Sequence, residues 1–157
     1  MAGATRIHVV IDAAQMARVR RVYGSLRRPQ LAKPVSTFLV KAAYLVLADA
    51  AANQIIRGGR FRGKGGKLGN TPPHPSRLTS RTGELRRSLS VNRGLDRGGL
   101  PRYVDVGSDL VYAPVHELGL SRYPVRAFLA PAVAAVSPKF EGMLLHELDK
   151  AVGEAAR

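Results

Sequence analysis

The stretch Pro34-Val35-Ser36-Thr37-Phe38-Leu39-Val40-Lys41-Ala42-Ala43-Tyr44-Leu45-Val46-Leu47-Ala48-Asp49-Ala50, continued to Ile55, decides how the chain folds. Pro34 suits the first turn of a helix, where no backbone N–H is needed. Phe38, Leu39, Ala42, Leu45, Val46, Ala50 and Ile55 then cover much of the helix circumference. A helix apolar nearly all round is buried or packed against several partners. It is therefore expected at the centre of the fold or at an oligomer contact. The longest apolar run within it, Ala42 to Ala52, is interrupted by Asp49. It is shorter than the roughly 20 residues that span a bilayer, so no membrane partner is expected.

Outward from this helix the pattern is mixed. Ile7 to Ile11 is short and β-branched and reads as a strand, with Asp12 able to cap a helix after it. Met16, Val19, Tyr23 and Leu26 recur at helical spacing, and Arg18, Arg20, Arg21, Arg27 and Arg28 lie on the opposite, solvated face. Thr82 can cap a short helix through Leu89, with Glu84 in its first turn. Ser90 to Arg93 and Arg102 to Gly107 read as the two strands of a hairpin, because Gly94, Asp96, Gly98 and Gly99 lie between them. Tyr112 to Leu118 is a short helical or turn segment closed by Gly119. Ser137 and Pro138 open a last helix with its apolar stripe at Phe140, Leu144, Leu148, Ala151 and Val152. Glu141, Glu147, Asp149 and Glu154 are then its solvent face. The fold class is α+β: a small antiparallel sheet packed with N-terminal, central and C-terminal helices, all in one domain over 1–157. That length suits a single domain with a modest core.

The 157 residues carry 25 Lys and Arg against 11 Asp and Glu, a net charge of +14. The excess is uneven. From Arg57 to Arg102 there are twelve bases, opposed only by Glu84 and Asp96. From Tyr103 onward seven acids face five bases. Such polarity makes one part of the chain seek anions: nucleic acid, an acidic protein surface or another copy's acidic end. The region 57–80 holds six glycines and then Pro72, Pro73 and Pro75, and reads as a long mobile loop. Its cations Arg57, Arg60, Arg62, Lys64 and Lys67 surround one aromatic, Phe61. Three readings stand: contact with a nucleic-acid backbone, ordering against an acidic neighbouring subunit, or a plain solvated loop.

Catalytic patterns fail on their details. Gly58 to Lys64 spaces like a phosphate-binding loop, but Gly65 stands where Ser or Thr would hold magnesium, and a helix precedes where a strand is required. His116-Glu117 opens like a zinc-protease helix, but Leu120 occupies the place of the second histidine. No serine lies in a nucleophile turn. Cysteine is absent, which excludes disulfides and thiolate metal sites. No enzyme activity, cofactor or metal is expected, and a hydrolase lacks its nucleophile and base. No N-terminal apolar run of the secretory kind is seen.

Three short segments remain. They are Arg81-Thr82-Gly83-Glu84-Leu85-Arg86-Arg87-Ser88-Leu89, Val111-Tyr112-Ala113-Pro114-Val115-His116-Glu117-Leu118-Gly119, and Pro124-Val125-Arg126-Ala127-Phe128-Leu129-Ala130-Pro131-Ala132. Singly they read as a helix cap, a turn after a strand, and a core anchor beside a solvated Arg. In this order they resemble the bacteriophage head–tail joining family, also called neck, tail-completion or virion morphogenesis proteins. Arg81, Thr82, Gly83, Leu85, Arg86 and Ser88 match its first segment. Val106, Gly107 and Ser108, then Tyr112, Ala113, Glu117 and Gly119, match its second. Arg126, Phe128, Leu129, Pro131 and Ala132 match its third. Ala127 departs from the family's proline. The resemblance covers about residues 80 to 156. It implies an α+β fold and a structural, non-enzymatic subunit that forms a ring, six or twelve copies, between the capsid portal complex and the tail. It implies connector and tail proteins as partners, assembly in the host cytoplasm, and the motif residues as interface; in such a ring the basic loop would face either an acidic adjoining ring or the DNA in the channel. The alternative from composition alone is a small basic nucleic-acid-binding protein.

Overall fold

Residues 5–9, 17, 21, 28–58, 60–62, 68–70, 76–80, 82–95, 101–120 and 123–155 are described by a computed structural model. In chain order the elements are β1 (Thr5–Val9), α1 (Arg28–Asp49), a π-helical turn (Ala50–Gln54), β2 (Ile55–Arg57), β3 (Arg60–Arg62), β4 (Leu68–Asn70) and β5 (Leu78–Ser80). After these come α2 (Glu84–Ser88), β6 (Ser90–Leu95), β7 (Pro101–Ser108), α3 (Ala113–Leu118), α4 (Leu129–Val136), a 3₁₀ turn (Ser137–Lys139) and α5 (Phe140–Ala155). The fold is α+β, as the sequence pattern indicates. The expected arginine-rich helix before residue 27 lies outside the described residues.

The main sheet runs β1-β7-β6, antiparallel throughout. The period of two along β7 places Val104 and Val106 in the core, both fully buried. Ile7 and Val91 sit opposite Val106 on the neighbouring strands and extend the apolar face. Gly107 faces Arg6 of β1, and a Cβ at Gly107 would come within 2.0 Å of the Thr5 carbonyl oxygen. Glycine is required there so that the two backbones can meet.

Helix α1 lies across this sheet and against α4 and α5. Ala42, Ala43, Val46 and Ala50 are fully buried along it, and Phe38 and Leu39 nearly so. Small side chains let the helix approach the sheet closely, and the large ones fill the flanks. Phe38 meets the ring of Phe140 edge to face, centroids 6.0 Å apart, an arrangement worth about 0.5–1.5 kcal/mol beyond simple burial. Tyr44 and Leu45 remain exposed. The central-helix reading holds, with one difference. The helix begins at Arg28, so Pro34 stands inside it and not in its first turn. Pro34 removes one ladder bond near the N-terminal end. Residues Leu31–Gln54 are long and apolar enough, by length and composition, to cross a membrane, so the run exceeds what Ala42 to Ala52 suggested. Its centre is buried under sheet and helices, while 39% of its most apolar window is buried in all.

Several boundaries differ from expectation. Within 57–80, β3 pairs with β4 as an antiparallel hairpin, and β2 pairs in parallel with β5. Ile55 and Leu78, opposite each other in that parallel pair, are buried and pin both ends of the region to the core. Residues 63–67 and 71–75 lie outside the described residues. Helix α4 has no counterpart in the sequence pattern. Glu147 is not on a solvent face: it is buried, and Lys41 of α1 donates to its Oε1. The i,i+4 geometry of a helix shows which residues share a stripe but not which neighbour supplies a cation.

Leu148 of α5 is fully buried beside α1. Leu148→Ala is expected to destabilise the protein by about 2–5 kcal/mol, read as a lower urea midpoint at unchanged slope.

Candidate functional site

Helix α3 starts on Ala113, fully buried, with Pro114 in the first turn, where a missing N–H costs nothing. It stops at Gly119, whose φ of 66° and ψ of 42° are left-handed. A Cβ at Gly119 would also sit 2.4 Å from Cγ2 of Val125. The helix therefore ends where the sequence places the glycine, and the chain turns back along it. The Arg126 N–H then donates to the His116 carbonyl at 2.9 Å.

That return brings Glu117 to the start of α4. Glu117 is only 9% exposed. Its Oε2 accepts from the backbone N–H groups of Phe128 at 2.8 Å and Leu129 at 3.0 Å, and its Oε1 from Ala130 at 2.9 Å. The first N–H groups of any helix lack partners within the helix. Here one carboxylate takes three in a row, and the next residue, Pro131, has no N–H to satisfy. Charge-assisted bonds of this kind are about twice as strong as neutral ones, and a negative charge suits the helix N-terminus. Phe128 and Leu129 are thereby fixed with both side chains fully buried.

The first motif segment joins the same region. Gly83, with φ of 75°, is the N-cap of α2, and Thr82 stands one residue before it. Thr82 is thus not the cap expected. Its Oγ1 accepts from the Glu84 N–H at 3.3 Å, and the Ser80 Oγ accepts from Gly83 N–H at 3.0 Å. Leu85 enters the core, and the Arg86 guanidinium donates to the Ala51 carbonyl in the π-helical turn. That turn is braced by Asp49, which accepts from Asn53 at 2.6 Å and Gln54 at 2.9 Å. Ser88 Oγ and Ser108 Oγ are 2.7 Å apart. The Tyr112 hydroxyl donates to Glu84 Oε2 at 3.3 Å. Burial, then the Glu84 charge, push the Tyr112 phenol above its usual range. Arg81 lies outside the described residues.

All three motif segments therefore meet in one knot. Leu85, Ala113, Glu117, Phe128 and Leu129 are interior to the subunit, so they do not serve as the contact surface expected of them. They hold the segment 110–126 in place. Among the described residues of this segment several large apolar side chains are exposed: Val111 69%, Leu118 63%, Tyr123 60%, Val125 62% and Leu120 45%. Sequence reasoning passes over these residues. The available signal is that Val111, Leu118, Tyr123 and Val125 flank the motif positions without falling on the stripe that the motif buries.

His116 is held between two tyrosines, its ring centroid 6.0 Å from Tyr112 and 6.2 Å from Tyr123, both edge to face. Burial first, then the Arg126 guanidinium, lower its pKa below the usual histidine value. No group of histidine, aspartate and glutamate among the described residues is arranged to hold a metal ion. Of the candidate anion-binding residues, Arg57 ends β2, and Arg60 and Arg62 are in β3. Lys64 and Lys67 lie outside the described residues. Comparison with protein-family models, curated proteins and solved structures finds no match for this chain.

Removing the carboxylate orphans two buried N–H groups, of Phe128 and Leu129, at about 1–3 kcal/mol each, and the part-buried one of Ala130. Glu117→Ala is therefore expected to cost about 3 kcal/mol or more, and Glu117→Gln less, because one acceptor oxygen remains. Urea unfolding of the three proteins checks the order. For His116 the sign comes from the lowered pKa. The folded protein prefers the neutral ring, so its contribution is complete above the unfolded value of about 6.5 and is lost as pH falls through the lower folded value. Acidification from about pH 7 to about pH 5 is expected to reduce the stability of the parent more than that of His116→Gln, measured by thermal melts across that range.

Proposed function

We propose that this chain is a structural virion protein of the phage neck or tail-completion region. Copies of it close into a ring that joins the capsid portal complex to the tail. The subunit performs no catalysis; its work is to present surfaces of fixed shape. The observation that carries the reading is the set of exposed apolar side chains Val111, Leu118, Leu120, Tyr123 and Val125, on the chain segments that flank the buried Glu117 cap. Monomeric proteins seldom expose large contiguous apolar patches without a partner. The resemblance of the three motif segments supplies the kind of partner.

A ring needs two different patches on each subunit, because head-to-tail contacts close only when one surface meets another. A second exposed apolar group lies on the packed helices α1 and α5: Tyr44, Leu45, Leu145 and Val152. It is formed by elements distinct from those of the first. In the proposed ring, the 111–125 surface of one copy meets the α1–α5 surface of the next. Flanking connector and tail proteins occupy the ring's two open faces.

Sedimentation velocity and negative-stain microscopy test this. The purified chain is expected to form a closed species of six or twelve copies. The double variant Leu118→Asp with Val125→Asp alters two exposed side chains only, and is expected to give monomers with an unchanged circular dichroism spectrum. A parent that stays monomeric at every concentration, and in assembled particles, overturns the reading.

A further inference from the structure

The return of the chain along α3 draws the exposed apolar side chains of 111–125 together. Tyr123 stands edge to face against His116, and His116 against Tyr112, which is itself exposed. A Cβ on Gly119 would collide with Val125, and the Leu120 N–H donates to the Val115 carbonyl at 3.1 Å. The charge on this patch has one sign. Between residues 111 and 126 the sequence has a single acid, Glu117, and it is buried under the start of α4. Arg126, half-buried at the end of the patch, joins no ion pair with a described acid. Its charge falls on His116 instead, whose pKa is lowered by burial and then by this guanidinium. The patch is therefore apolar and cationic.

Helix α5 carries the opposite combination. Its buried side holds Leu144, Glu147 and Leu148. Beside that face, Glu141, Leu145, Asp149 and Val152 recur at helical spacing and form a second stripe, exposed at every position. At 1.5 Å of rise per residue the stripe runs about 16 Å. Two carboxylates and two apolar side chains alternate along it. Glu141 and Asp149 have interactions within their own chain, but an exposed carboxylate has lone pairs enough for a second donor. Lys150 and Glu154, which approach each other at 4.0 Å, lie on the other flank of the helix.

We propose that the Glu141–Leu145–Asp149–Val152 stripe of one copy seats the 111–126 patch of the next, with Arg126 facing the stripe's carboxylates. The inference rests on the ring reading and narrows its contact to named side chains. The patch does not suit itself. Two patches face to face would bring cations together with no exposed acid on either side, and like charges in one interface are costly. Against the stripe, Leu118, Leu120, Tyr123 and Val125 cover Leu145 and Val152, and the guanidinium fork meets carboxylate oxygens. Such a contact joins two different surfaces, as a closed ring of identical subunits requires.

Two half-disabled proteins test it. Leu118→Asp with Val125→Asp keeps the stripe and loses the patch. Leu145→Asp with Val152→Asp keeps the patch and loses the stripe. All these positions are exposed, and circular dichroism checks that each protein is folded. Each alone is expected to sediment as a monomer. Mixed, they are expected to form a one-to-one complex, because one intact surface of each kind remains. Adding Glu141→Lys and Asp149→Lys to the first protein is expected to slow formation of that complex about tenfold or more. Arg126→Glu in the second protein is expected to restore the rate. If Arg126→Glu does not fold, the association rate of the original pair is followed across a salt series, where opposite charges in contact make it fall as salt rises. A mixture that stays monomeric overturns the proposal, as does a stripe-disabled protein that still assembles alone. So does a rate indifferent to both charge reversal and salt. With any of these results, a parent that closes into a ring leaves the ring reading standing on another contact. A parent that is monomeric in solution and in particles removes both.

Discussion

Glu117 is the constraint on which the described structure turns. A carboxylate taken out of water is costly unless its oxygens find donors. Here the donors are three consecutive N–H groups that would otherwise be orphaned at the start of α4. Each need meets the other, and neither is met by local sequence alone. The consequences run in both directions along the chain. Toward the C-terminus, Phe128 and Leu129 are set into the core and α4 is aimed at α1. Toward the N-terminus, the six-residue α3 acquires a fixed orientation that its own length could not give it, since isolated short helices are unstable in water.

Where the sequence pattern succeeded, the responsible signal was local. The hairpin of β6 and β7 arises from β-branched alternation around a glycine-rich turn. The end of α3 is set by Gly119, the residue type that accepts a left-handed backbone. The core helix is marked by its apolar circumference. Where the pattern failed, the cause was tertiary. Pro34 marks a helix start by its chemistry, yet α1 absorbs one missing bond because its buried face outweighs it. Leu129–Val136 gives no helix signal in the sequence because Pro131 and the absence of a capping side chain disguise a helix whose cap comes from Glu117, twelve residues before its start. No periodicity in the chain reports a contact of that kind.

The candidate site was half legible for the same reason. The three motif segments are visible in sequence, and the structure brings them together through Ser88–Ser108, Tyr112–Glu84 and Glu117–Phe128. Their role is different from the one their position near a supposed interface suggests. The motif residues are largely the interior brace, and the residues between them are the surface.

Charge counting carries a related lesson. Seven acids in the last third of the chain suggest a negative end able to meet a positive loop. Three of those acids are buried, and each has a partner or an interaction inside the subunit. The charge counted along the sequence therefore overstates the acidic surface, because Asp105, Glu117 and Glu147 do not reach it, while Asp109, Glu141, Asp149 and Glu154 do.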